Sequence, residues 1–152
     1  MESFDNRIKL QKLIYILSFY GIEFNYNFTW WKHGPYSPKL TDDGYVVNRL
    51  TARPTDHELK IIEKLKKGKE ILKDSKKAEL VASYLYLQQR MHNRPSNDKI
   101  IGELITRKPY LSHIATWQPI KVAMKGKPHV FECWSDNILN LNLSICMSHR
   151  FL

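Results

Sequence analysis

Between Asp5 and Tyr20 the apolar positions Leu10, Leu13, Ile14 and Leu17 recur at helical spacing, and from Leu13 to Tyr20 the segment is apolar nearly all round. The pattern predicts a core helix, capped by Ser3 or Asp5 and stopped at Gly21. The period then changes: in Phe24-Asn25-Tyr26-Asn27-Phe28-Thr29-Trp30 aromatic and polar residues alternate, as on a half-buried strand or extended arm. That signal ends at Gly34-Pro35. Ser37-Pro38 then sets an N-cap serine before a proline at the first helical position, which predicts a helix from Pro38 to about Leu50. Thr55 and Glu58 form a capping box, so another helix starts there and continues through Leu59, Ile61, Ile62, Leu65 and Leu72.

Asp74-Ser75 caps a largely buried helix from Lys76 to about Met91, and Arg94-Pro95-Ser96 breaks the chain and caps the next one, Asp98 to Thr106. A further helix is expected from Tyr110 to Ala123, kinked at Pro119. Beyond Gly126 the alternation in Ile138–Cys146 reads as a strand or extended tail. The expected fold class is mainly α: a compact bundle of about five to six helices with a short extended or β element, an arrangement open to a winged-helix form. The helical domain spans residues 1–125, and residues 126–152 form the tail.

Composition narrows the functional classes. With 43% hydrophobic and 26% charged residues, the chain lies in the globular range. No basic leader opens it and no apolar run approaches the ~20 residues of a membrane span, so a cytoplasmic protein with no membrane association is expected. Lys and Arg number 24 against 15 Asp and Glu, and this net charge of +9 attracts phosphates and acidic partners.

Three constellations carry candidate chemistry. Lys60, Lys64, Lys66, Lys67, Lys69, Lys73, Lys76 and Lys77 crowd eighteen residues. Such a run neutralises phosphates in a nucleic-acid-binding protein; set among Glu63, Glu70 and Asp74 it also describes a solvated helix face. Trp30, Trp31, His33 and Tyr36 surround a Gly-Pro turn, and aromatics of this kind either seal a core or present a partner-binding surface. His129, Cys133, Cys146 and His149 offer zinc-type ligands, but H-x3-C followed by C-x2-H is not the ordering of zinc halves, so the two cysteines read as free thiols and no metal or other cofactor is expected. Nucleophile elbow, phosphate loop, H-E-x-x-H and dinucleotide signatures are all missing, which points away from an enzyme.

Two motifs also carry a likeness. Lys9-Leu10-Gln11-Lys12-Leu13-Ile14-Tyr15 and, about twenty residues on, Trp31-Lys32-His33-Gly34-Pro35-Tyr36-Ser37-Pro38-Lys39-Leu40 resemble the paired signatures of the YwgA-like and SocA-like (Panacea) domains. Ile105-Thr106-Arg107-Lys108-Pro109 is similar to the Lys-Pro step between that family's last helices. The similarity runs from Arg7 to Met124. It implies a compact helical domain of bacteria, archaea and their mobile elements, whose SocA-like members serve as antitoxins or proteolytic adaptors, and it carries over no catalytic residue. The chain departs from the pattern at Trp30-Trp31-Lys32-His33 and in its basic middle helix. The functional expectation is a non-enzymatic regulatory or protein-interaction module, antitoxin-like or adaptor-like. The alternative is a nucleic-acid-binding transcriptional regulator using the basic 60–77 region.

Overall fold

Two helices whose middles are buried on every side form the centre of the molecule. In the computed structural model, which describes residues 4–46, 54–65, 73–93 and 95–115, α1 is Phe4–Phe19, and every residue from Leu10 to Leu17 is buried. Its end is a Schellman motif: Ile22 N donates to Leu17 O and Gly21 N to Ser18 O, both at 3.1 Å, with Gly21 at φ +96°. After that turn the alternation of Phe24 to Phe28 persists as burial, with Phe24 and Tyr26 inside and Asn25 and Asn27 outside, but no ladder forms there. The ladder begins later. Strand β1 (Thr29–Trp31) pairs antiparallel with β2 (Gly34–Tyr36), Trp30 opposite Pro35, through the two residues Lys32 and His33.

The remaining elements are α2 (Pro38–Val46), α3 (Asp56–Leu65), α4 (Ser75–Arg90) and α5 (Asn97–Arg107), followed by a single 3-10 turn at Pro109–Leu111. The protein is therefore mainly helical with one small antiparallel hairpin, as the sequence pattern predicts. Helix α4 is the second central helix, buried from Ala78 to Leu85 and again at Leu87. It packs on α1, β2 and α5, and β2 also touches α1, so the hairpin is clamped against both central helices.

Helix starts follow local chemistry. Asp74 accepts from Lys76 N at 2.8 Å and Lys77 N at 3.4 Å, and Ser96 accepts from Lys99 N at 3.4 Å. The capping box closes, with Thr55 N on Glu58 Oε2 at 2.7 Å and Glu58 N on Thr55 Oγ1 at 3.3 Å. On α3, Ile62 turns inward and Leu59 stays 43% exposed, so the expected apolar stripe is only partly used.

Two expectations are corrected. Among the described residues no α-helix starts at Tyr110: the chain makes one 3-10 turn and further turns to Ile114, with the Tyr110 hydroxyl held by the Glu79 carboxylate and Lys32 O, and residues 116–123 of the expected helix lie outside the described residues. Ser37 does precede α2, but its hydroxyl makes no hydrogen bond; its backbone is held by Gln11 instead. The far ends of the expected second and third helices, the kink at Pro119 and the 126–152 tail lie outside the described residues. Among those described, no helix is long and apolar enough to cross a membrane.

Candidate interaction cleft and its buried polar brace

The two central helices each bury polar residues, and all of them point at the hairpin region. From α1, Gln11 Oε1 accepts from Ser37 N and Gln11 Nε2 donates to Ser37 O, both at 2.9 Å, while Lys12 Nζ donates to Pro35 O at 2.6 Å. From α4, Glu79 lies 3% exposed and receives three donors: Lys108 Nζ at 2.5 Å, the Tyr110 hydroxyl, and His33 Nδ1 at 3.2 Å. Lys108 Nζ also donates to Lys32 O at 2.6 Å, so the turn of the hairpin is tied to both Glu79 and the segment after α5. Next to these ties Gly34 adopts φ +85°, and a Cβ there would overlap Ser83 Oγ on α4. Only a residue without a side chain lets the hairpin come this close.

Two lysines and one carboxylate share this interior. Burial, reinforced by Lys108 and opposed by Glu79, pushes the Lys12 ammonium down to about 7. Burial also lowers the pKa of Lys108, against the hydrogen bond and charge of Glu79. Tyr110 is shifted upward, first by burial and then by its bond to Glu79, so it remains a phenol that donates.

Above the brace, the first half of α1 and the hairpin enclose a cleft of about 410 Å³ lined by Phe4, Arg7, Ile8, Gln11, Lys12, Trp31, Lys32, His33, Gly34, Tyr36 and Thr41. Phe4 is 58% and Trp31 59% exposed. Trp31 leans on Tyr36 with ring centroids 5.4 Å apart, His33 meets Phe4 edge-on at 5.7 Å, and the Arg7 guanidinium lies over Phe4 at 5.9 Å.

Of the four aromatic candidates, Trp31, His33 and Tyr36 thus line one cleft. Trp30 does not, because successive strand residues face opposite sides. It is partly buried against Tyr86 at 5.6 Å, under Arg107 at 5.4 Å and Lys108 at 5.2 Å, where it seals the core. Among the basic candidates, Lys60 on α3 and Lys73 and Lys76 around the start of α4 are exposed, and Lys77 is partly buried. The side chain of Lys64, and Lys66 and Lys67 entirely, lie outside the described residues, as do His129, Cys133, Cys146 and His149. Sequence reasoning missed Phe4, Arg7, Lys12, Glu79, Lys108 and Tyr110. One signal was available for Lys12 and Glu79: each is a charge within a run of core positions.

Comparison with known proteins returns no match of any kind: no family model, no curated protein and no solved structure corresponds to this chain.

Proposed function

We propose that this chain is a non-enzymatic protein-interaction module of the antitoxin or adaptor type, which engages its partner through the cleft between α1 and the hairpin. The observation that carries the reading is a pair of exposed aromatics on one cleft, Phe4 at the start of α1 and Trp31 on the hairpin, with the hairpin held from beneath by Lys12, Glu79 and Lys108. Preorganised aromatic surface is what binding energy concentrates on, because little side-chain freedom remains to be lost. The buried carboxylate supports binding over catalysis: Glu79 has all its donors within the protein and is not part of the cleft wall, so it presents no base to a substrate there. The likeness of the Gln11-Lys12 and Gly34-Pro35 motifs to SocA-like domains supports the same class.

The test is site-specific photo-crosslinking in the intact chain, with a photoreactive phenylalanine replacing Trp31 or, as the contrast, the exposed Asp98 on α5. A discrete protein adduct from position 31 and none from 98 is the expected result. Equal adducts from both positions, or none from 31, would overturn the reading. The nucleic-acid alternative draws on the exposed Lys60, Lys73 and Lys76 and the net charge of +9. It requires duplex binding that weakens with salt at a slope of about −0.9 per phosphate engaged, and a titration at two salt concentrations decides it.

A further inference from the structure

The wall of the cleft has a one-sided charge. Among the described residues that line it are Arg7, Lys12, Lys32 and His33 and no aspartate or glutamate, while Phe4, Ile8, Trp31 and Tyr36 supply its apolar surface. We propose that the cleft docks a short acidic segment of a partner protein, with an apolar side chain seated against Phe4, Trp31 and Tyr36 and flanking carboxylates set toward Arg7 and Lys32. The proposal rests on the interaction reading above and adds the chemistry of the partner.

Three observations select this occupant. A volume of about 410 Å³ suits one or two side chains with their local backbone, the scale of a small-ligand pocket rather than a groove for a whole domain. The charge is complementary at two ranges: Arg7 and Lys32 act at contact, and the net +9 of the chain steers an acidic segment toward them. The aromatic faces disfavour a single-stranded nucleic acid, which needs open rings for successive bases. Here Trp31 leans on Tyr36 at 45°, so these two rings do not stand open as separate platforms. The chain's own C-terminal stretch is a poor charge match, since residues 116–152 carry Lys121, Lys125, Lys127 and Arg150 against Glu132 and Asp136.

The experiment uses the full chain and fluorescence anisotropy with three dye-labelled synthetic hexapeptides, Asp-Glu-Leu-Phe-Glu-Asp, Lys-Lys-Leu-Phe-Lys-Lys and Asp-Glu-Gly-Gly-Glu-Asp, and a ten-nucleotide thymidine strand. The first peptide is expected to bind at least tenfold more tightly than the other two and than the strand. Trp31→Ala and Lys32→Glu, both at exposed positions, should each weaken it at least fivefold with unchanged melting, and Lys60→Glu on α3 should change it less than twofold. Equal binding of the basic or the glycine peptide overturns the proposal. So does an equal loss from Lys60→Glu, which would make the effect one of overall charge, and so does tighter binding of the thymidine strand. A position-31 crosslink alongside a failed acidic peptide would reject the acidic chemistry alone; loss of both would reject the interaction reading as well.

Discussion

Gln11 uses both ends of its amide on the backbone of one residue, Ser37, and shares Nε2 with Thr41 Oγ1 at 2.9 Å. The start of α2 is therefore fixed by a side chain twenty-six positions away, and the Ser37 hydroxyl is left without a hydrogen bond. Gln11→Ala should lower stability by about 2–3 kcal/mol, since it orphans the buried Ser37 N–H and removes a second bond to Ser37 O, whereas Ser37→Ala should change it by less than about 0.5 kcal/mol. Urea denaturation of the two variants checks the order; a larger loss from Ser37→Ala would restore the hydroxyl as the cap. Lys12 sets a pH dependence whose sign is fixed by its lowered pKa. Between about 7 and the ordinary 10.5 the unfolded chain holds a proton that the folded chain has released. Stability from this group therefore rises with pH across that window, by up to about 1.4 kcal/mol per pH unit, and levels off below about 7, where both states hold the proton. Lys108, lowered in the same way, adds in the same direction. In Lys12→Met the rise in stability between pH 7 and pH 9 should be smaller than in the parent, by chemical denaturation at both pH values. Parallel profiles would contradict the assignment.

At the scale of elements, α1 and α4 are joined through the hairpin, by Lys12 from α1 and by Glu79 and its donors from α4. Glu79→Ala leaves Lys108 buried without its counter-ion and should cost about 3–5 kcal/mol, while Glu79→Met combined with Lys108→Met should recover at least half of that loss. A double variant no better than the single one would mean that the packing of the Glu79 stem, not the ion pair, holds the hairpin. How far each element was legible follows from the range of its determinants. The caps at Thr55, Asp74 and Ser96 act over two or three residues, and the apolar runs of α1 and α4 are contiguous, so their helices stand out in the sequence. The start of α2 was placed correctly on the Ser37-Pro38 pair, but its fastening comes from Gln11, which no local window contains. At Tyr110 the tie is also long-range: the chain makes a 3-10 turn rather than opening an α-helix there, and Glu79, thirty-one positions back, holds the tyrosine hydroxyl. The aromatic cluster was legible as a group, but dividing it required the register of β1, which sends Trp30 to the core and Trp31 to the cleft. Phe4 and Arg7 joined the cleft without notice because they lie ahead of the apolar stretch that marks α1.

At the scale of the whole molecule, basic residues lie both at the cleft and around α3 and the start of α4. The net charge of +9 raises encounter rates with any acidic partner, and the lysines around α3 and the start of α4 contribute to it. On the function proposed above, specific contact falls to the cleft, where Arg7, Lys32 and His33 stand beside apolar surface and the hairpin is braced by the buried polar cluster. The most direct measurement isolates proteins that co-purify with the intact chain and titrates any stoichiometric one against two double variants of matched stability. Phe4→Ala with Trp31→Ala removes the exposed aromatics, and Lys73→Glu with Lys76→Glu reverses charge on the lysine region. The account predicts that the aromatic variant loses at least tenfold in affinity while the lysine variant loses less than threefold, mostly in association rate. Full affinity in the aromatic variant together with lost binding in the lysine variant would contradict it.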